Sequence, residues 1–335
     1  MSKFCLAKQG FESKFVYNLK GLYYRTFRKN NLEKLLSKLL LKYDDKIDEI
    51  KQRLDYYCDF KELPKIYNNT YYKDGGSVYW FDFYKYFRYF DKSLKYNLEF
   101  GDVNYEAKEP SFAKSRPVKI EKSNNILLKL EARRHFRFLS KDFLSSVPRY
   151  EDKLDKVFFR GGCYQIHRRE FMRKHFGKTF LNAAHIGHKN SLKDKELKAW
   201  ATNKKASLKE HLNYKLILSL EGNDVASNLK WLMSSNSLAI MPKPKFESWF
   251  MEGKLKENFH YLLIKDDHSD FEERVSFILE NTELAKEIIA NANLYCEKFK
   301  DEKLETLLNL LVLRKFFYLS GQIDVSNKER ILFEA

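Results

Sequence analysis

The sequence predicts an α/β protein of two domains, and three observations carry that expectation. At 335 residues the chain exceeds what a single core usually organises, so two domains of about 100 to 200 residues are expected. Short apolar segments alternate with helical periodicity through its second half, the pattern of a parallel sheet with helices on its faces. Two of those segments end in glycine turns, Arg160-Gly161-Gly162 and Glu221-Gly222-Asn223, at the strand ends where ligands bind in such folds.

Taken in order, Asn31 to Tyr57 reads as one amphipathic helix, with Leu32, Leu35, Leu36, Leu39, Leu40 and Tyr43 on one face. Tyr71 to Phe100 holds thirteen aromatic residues around the turn signal Asp74-Gly75-Gly76. Rings at this density build core more often than they stack on sugars or bases. Leu98 to Phe100 is strand-like. Val157 to Phe159 is a buried-strand candidate, followed by a helix from Gln165 to His175. Leu216 to Leu220 is a second strand and Val225 to Met233 a helix. Leu238 to Met241 and Tyr261 to Ile264 give two more strands. Ser269 with Glu272 forms a capping-box pattern that starts a helix through Leu279, and Glu283 to Phe299 continues as another. Lys303 to Leu319 is helical, with Leu304, Leu307, Leu308 and Leu311 for packing.

A 44% hydrophobic and 16% aromatic content, with 12 Gly and 6 Pro, excludes disordered and collagen-like chains. The net charge is +16, and residues 111–209 hold 25 Lys and Arg against 9 Asp and Glu, so this segment carries the entire excess. A localised anionic partner follows: nucleic acid, a phosphorylated ligand or an acidic membrane surface, with a plain solvated basic face as the alternative. The four cysteines, Cys5, Cys58, Cys163 and Cys296, are scattered and suggest neither a disulfide framework nor a zinc ribbon, which fits a reducing cytoplasm. Residues 1–30 contain no apolar signal-peptide core, and the longest stretch free of charged side chains, Trp231 to Pro242, is twelve residues, too short to span a bilayer. A soluble or membrane-peripheral protein is expected.

A strand-glycine-helix junction suits phosphate, because glycine admits close backbone approach and free N–H groups at the helix start point at the anion. Neither junction is a G-x-G-x-x-G or a Walker A, so a tight turn without ligand fits the spacing equally. Arg160 and Arg168 strengthen the first junction, since guanidinium groups can hold a diphosphate through forked hydrogen bonds. Cys163, His167, His175, His185 and His188 fall within 26 residues, but no second close pair completes a structural zinc set. No two aspartates stand two apart, so there is no Asp-x-Asp to hold a divalent ion on a nucleotide diphosphate. Nucleotide-sugar chemistry here would rely on cationic side chains and helix dipoles, with no metal.

The stretch from Lys215 to Ser237, with Pro242-Lys-Pro-Lys-Phe-Glu-Ser-Trp-Phe250, His260-Tyr261 and Asp266-Asp-His-Ser-Asp270, resembles glycosyltransferase family 90. That family comprises capsule-associated and lipopolysaccharide-modifying transferases. Phe158-Phe159-Arg160-Gly161-Gly162 stands where the family has a Phe-Arg-Gly-Ser turn, and Phe100-Gly101-Asp102 and Lys114-Ser115-Arg116-Pro117 are similar to its bacterial branch. The resemblance covers roughly residues 95–300. It implies a GT-B-type fold, two Rossmann-like domains facing across a cleft. The acceptor-side domain is then 1–150, with a C-terminal helical segment 303–335 returning to it, and the donor-binding domain 151–302. It further implies an inverting, metal-independent transfer of a hexose or pentose from a UDP-sugar to a lipopolysaccharide or lipooligosaccharide core or related glycan.

By position, the resemblance makes Asp102 the catalytic aspartate, Arg168 a diphosphate-contacting arginine, and Arg160, Gly161 and Gly162 the donor turn. An inverting transfer needs a carboxylate to take the acceptor hydroxyl's proton. Asp102 suits that task, although an ordinary turn aspartate fits the same spacing. Gly222, Ser227 and Lys230 complete the donor side, and Lys114, Ser115 and Arg116 would support the active site. Where relatives have Ser-Arg-Phe-Lys, this chain has Ser227-Asn228-Leu229-Lys230, lacking one phosphate-binding arginine. Glu247, at a helix-like start before Trp249, would accept ribose hydroxyls or cap the helix. Partners are then a UDP-sugar, an anionic glycolipid and an anionic membrane surface, the last facing Lys189 to Lys209. Location would be cytoplasmic, peripheral on the inner membrane. The competing expectation from the basic block and the aromatics is a nucleic-acid-binding protein without enzymatic activity.

Overall fold

The computed structural model describes residues 12–66, 68–73, 76–118 and 122–334, so Asp74 and Gly75 of the aromatic-flanked turn lie outside the described residues. In chain order the strands are β1 (Thr70–Lys73), β2 (Asn97–Glu99), β3 (Ser111–Ala113), β4 (Ser115–Pro117), β5 (Asn125–Leu127), β6 (Leu154–Gly161), β7 (Leu181–His185), β8 (Tyr214–Leu218), β9 (Leu238–Met241), β10 (Phe246–Ser248) and β11 (Leu262–Leu263). The principal helices are α1 (Lys14–Thr26), α2 (Leu32–Lys42), α3 (Ile47–Tyr57), α4 (Ser77–Phe87), α5 (Ile166–His175), α6 (Leu229–Met233), α7 (Phe271–Glu280), α8 (Thr282–Glu297), α9 (Glu302–Leu319) and α10 (Asn327–Glu334). They divide into two units: residues 12–134 with 245–253 and 299–334, and residues 135–244 with 254–298. Each unit contains one parallel sheet.

In the first unit the sheet order is β1-β2-β3-β5, all parallel. The aromatic-rich stretch supplies its core: Phe83 and Phe87 of α4 stack on each other, and Phe112 of β3 meets Phe316 of α9 with ring centroids 4.5 Å apart. The α9 helix is buried almost throughout, so its hydrophobic surface is not confined to one stripe. Its polar members are therefore paired. Glu305 accepts from Trp249 Nε1 at 2.6 Å, Arg53 Nη2 at 2.5 Å and Lys129 Nζ at 2.9 Å.

The stretch 31–57 forms two helices where the sequence predicts one. The apolar positions Leu32, Leu36, Leu39, Tyr43, Ile50, Leu54 and Tyr57 keep helical phase across the break, so periodicity cannot reveal it. Tyr43 ends α2 with its hydroxyl bonded to Asp301 at 2.7 Å, and Asp44–Lys46 makes a single 3₁₀ turn. Asp48 and Glu49 then occupy the first turn of α3, where the helix dipole favours negative charge.

In the second unit the sheet order is β11-β9-β8-β6-β7, again all parallel. Val157 and Phe159 of β6, Leu216 and Leu218 of β8 and Ile240 of β9 pack with Phe171 and Met172 of α5 and with Phe271, Val275 and Ile278 of α7. The helix expected over 225–233 is confined to Leu229–Met233. The preceding residues form a loop in which Asn228 bonds Ser219 Oγ and the Leu218 carbonyl, competing with helical hydrogen bonding. The capping box at Ser269 does not form. Asp270 caps α7, and its carboxylate instead accepts from the Lys265 N–H at 2.8 Å.

His268, in the loop before α7, is fully buried at φ 60°, edge-on to Phe171, and neither ring nitrogen has a hydrogen-bond partner among the described residues. Burial first, then the neighbouring His167 and His175, push its pKa down to about 4 from an ordinary 6.5. The unfolded chain therefore binds more protons than the folded one between those values, and stability falls as pH drops from about 6.5 to about 4. His268→Leu is expected to flatten that slope in urea denaturation at a series of pH values. His260, also pushed down to about 4 mainly by burial, keeps part of it.

Candidate active site

The β6 strand alternates its side chains between the two sheet faces and ends at Gly161, after which Gly162 and Cys163 lead into α5. Arg168 sits in the first turn of that helix. Its Nη1 donates to the Gly162 carbonyl at 2.8 Å, Nη2 to Leu220 at 2.6 Å and Nε to Glu221 at 2.7 Å. One guanidinium thus ties the turn after β6 to the turn after β8, and His167 Nε2 donates to the same Glu221 carbonyl at 2.9 Å. A Cβ placed on Gly161 would lie 3.6 Å from Nη1, and one on Gly222 3.6 Å from Nη2. Both glycines therefore lie in van der Waals reach of the guanidinium edge, and at Gly161 the tighter neighbour is the Phe159 ring, 2.9 Å from such a Cβ. Three of its five N–H donors are used on these carbonyls. Burial lowers the Arg168 pKa to about 10, which leaves it cationic at neutral pH.

The other expected donor residues are placed differently. Arg160 lies on the sheet face opposite to Phe159, which packs against α5, so the structure does not group it with Arg168. Its guanidinium lies over the Phe158 ring at 4.3 Å and donates to Asn182 Oδ1 and to the Phe159 and Asn182 carbonyls. It lines a cavity of about 210 Å³ with Asn182, Lys204, Glu210 and Tyr214. Ser227 is exposed just before α6. Lys230, within α6, is fully buried with its ammonium 5.7 Å from the Phe136 ring.

In the first unit, β2 ends at a turn whose Gly101 adopts φ 100°, a conformation natural to glycine. Asp102 follows, its side chain one-third exposed. Lys114 leaves the end of the adjacent parallel strand β3 and donates to Asp102 Oδ1 at 2.8 Å, with Glu131 Oε2 3.7 Å away. The buried ammonium thereby fixes one oxygen of a reachable carboxylate. Ser115 pins the same turn, accepting from the Val103 N–H at 3.2 Å and donating to the Val103 carbonyl at 3.1 Å. Arg116 is fully buried and donates to Glu247 Oε1 at 2.7 Å and to the Tyr56 and Asn125 carbonyls. Glu247 lies on β10, paired antiparallel with Arg116 of β4, and not at a helix start. It also accepts from the Tyr56 hydroxyl.

The structure therefore brings Asp102, Lys114 and Ser115 together in one unit and Gly161, Gly162, Arg168 and Gly222 together in the other. Glu131 was not singled out by the sequence, and His167 only as one of five residues weighed as metal ligands. Nothing in the spacing marks Glu131, whereas His167 adjoins Arg168 and shares its carbonyl. Among the described residues no group of three or more His, Cys, Asp or Glu is arranged to hold a metal ion.

Residues 136–309 match the family model described as Glycosyl transferase family 90. An O-glucosyltransferase, LpsA, from Dichelobacter nodosus is 38% identical over 243 residues, 72% of this chain and 73% of that protein. The chain belongs to glycosyltransferase family 90. It is accordingly a glycosyltransferase of mixed α/β fold. An uncharacterized protein, 179R, of Invertebrate iridescent virus 6 is 28% identical over 123 residues, covering 34% of this chain and 10% of that protein. A crystal structure of TarM overlaps at a TM-score of 0.34 and 16% identity, covering 55% of this chain and 38% of the other, too distant to bear on the fold. The family match spans Arg168 and both glycine turns, and Asp102 and Lys114 lie upstream of it.

Proposed function

We propose that this family 90 enzyme is an inverting, metal-independent glycosyltransferase that moves a hexose or pentose from a UDP-sugar to a lipopolysaccharide or lipooligosaccharide core or related glycan. In this reading the two units are the Rossmann-like halves of a GT-B-type enzyme. The unit containing Asp102 serves the acceptor and the unit containing Arg168 the donor. The observation that carries the proposal is the convergence of two glycine turns on the Arg168 guanidinium at the carboxyl ends of β6 and β8. Cationic donors and exposed turn backbone are what a diphosphate requires without a metal.

In the chemical step, Asp102 takes the proton of the acceptor hydroxyl as its oxygen bonds the anomeric carbon. The bond from that carbon to the diphosphate oxygen breaks, and the electron pair leaves with UDP. The Arg168 guanidinium, with the two N–H groups not used on the turn carbonyls, stabilises the charge that accumulates there. Lys114 and Ser115 hold Asp102 and its turn in place. Arg116 and Glu247, both buried and bonded to each other, act as the support beneath that turn. The excess of basic residues over 111–209 is suited to phosphorylated core sugars and an anionic inner leaflet.

A thermal-shift screen in EDTA against UDP-glucose, UDP-galactose, UDP-xylose and their N-acetyl analogues tests the donor class. Glucose is the first candidate, because LpsA is described as an O-glucosyltransferase. A donor at about 100 times its Kd stabilises the fold by about 2.7 kcal/mol. A shift with none of them contradicts the reading. Arg168→Lys keeps the charge but cannot bridge three carbonyls. It is expected to weaken UDP binding at least about tenfold and to lower stability by about 1–3 kcal/mol, as read by calorimetric titration and thermal unfolding.

A further inference from the structure

Helix α1 presents two faces of different kinds. On one, Tyr17 and Gly21 are buried against α4. The Tyr17 hydroxyl donates to the Val78 carbonyl at 3.1 Å, and Gly21 approaches so closely that a Cβ there would lie 2.1 Å from the Phe81 ring. That contact fixes which side of α1 faces outward. On the outward side the side chains are apolar: Leu19 is 59% exposed, Leu22 55% and Phe27, just beyond the helix, 56%, with Phe15, Val16 and Tyr23 also exposed.

At 100° per residue Leu22, Thr26, Leu19, Tyr23 and Val16 form one stripe. Lys14 and Arg25 fall along one edge of it and Lys20 along the other. Residues 12–33 contain Lys14, Lys20, Arg25, Arg28 and Lys29 against two acids, Glu12, which pairs with Lys20 at 2.6 Å, and Glu33, which pairs with Arg314 at 2.8 Å. The described residues include no helix long and apolar enough to cross a membrane.

We propose that the outward face of α1 docks in the interface of an anionic phospholipid bilayer, with Leu19, Leu22 and Phe27 entering the acyl boundary and the flanking cations meeting lipid phosphates. An exposed apolar stripe edged by Lys and Arg is the pattern of a helix lying in the membrane plane. Charge decides between occupants. Lys20 is paired with Glu12 at 2.6 Å, and the remaining cations leave the face net positive, so a second copy seated on it would set like charge against like, whereas an anionic surface complements it. The inference goes beyond the sugar-transfer reading and does not depend on it.

The test is co-sedimentation of the full chain with vesicles of phosphatidylcholine and phosphatidylglycerol at 7:3, and with phosphatidylcholine alone, in 0.1 M and 0.5 M salt. Binding to the anionic vesicles is expected, at least about tenfold weaker to the neutral ones and weaker again at high salt. Leu19→Ser with Leu22→Ser is expected to reduce it about ten- to hundredfold, and Lys14→Gln with Arg25→Gln about tenfold, with thermal unfolding and UDP binding unchanged. All four side chains are exposed, so the variants fold. Failure of the wild-type chain to bind anionic vesicles overturns the proposal, as does equal binding by the leucine variant. So does a dimer by light scattering that the leucine variant dissociates while vesicle binding persists. Because UDP binding is read separately, failure here leaves the sugar-transfer reading standing.

Discussion

Asp102→Asn lowers sugar transfer by about 10²–10⁴-fold, the usual worth of a positioned general base, while UDP binds with unchanged affinity. The amide preserves the shape of the side chain and can still accept from Lys114 Nζ, which lies 2.8 Å from Oδ1. It cannot take a proton at neutral pH. The turn should survive, because Ser115 and the positive φ of Gly101 hold it independently of the carboxylate. UDP release with rough-type lipopolysaccharide as acceptor reads the rate, and calorimetric titration reads the binding. Unchanged turnover removes Asp102 as the base. Lys114→Met should also slow transfer, but its cost includes leaving two carboxylates, Asp102 and Glu131, beside an apolar chain.

Glu305→Ala is the largest expected loss of stability, about 3–5 kcal/mol, because it removes the buried carboxylate that Arg53, Lys129 and Trp249 share. Although burial opposes the charged form, Lys129 and Arg53 outweigh it and hold the Glu305 carboxyl below its ordinary range. The same residue anchors Trp249, whose ring stacks on Tyr57 at 3.8 Å and whose carbonyl accepts from the Tyr57 hydroxyl. Trp249 follows β10, and β10 pairs with the strand that carries Ser115 and Arg116. Loss of Glu305 therefore loosens the support beneath Asp102 as well as α9 itself. Urea unfolding measures the effect, and a change below about 1 kcal/mol contradicts this role. Glu305→Gln should cost less, since it still accepts from Trp249.

The α/β alternation was legible in the sequence because β6, β8 and β9 are short apolar runs between helical patterns, and a parallel sheet buried on both faces reads that way. The two glycine turns were legible for the same reason, as punctuation at strand ends. What joins them was not. Arg168 stands six or more residues from every carbonyl it binds, two of them beyond fifty residues away, and no local pattern encodes such a contact. Arg160 invites grouping with Arg168 by proximity in sequence, yet the two-residue period of β6 sends it to the other face. Glu247 was misplaced on a helix because aromatic residues after it resemble a helix start. Its environment is set by Arg116, 131 residues away. Breaks such as Tyr43 to Lys46, where apolar phase continues, lie outside what periodicity can detect.

The most direct test of the account is calorimetric titration of UDP in EDTA against the wild-type chain, Arg168→Ala and Asp102→Asn. Metal-free binding by the wild type is expected, with at least about tenfold loss in Arg168→Ala and no change in Asp102→Asn. No binding by the wild type, or Arg168→Ala binding UDP as tightly as the wild type, contradicts it.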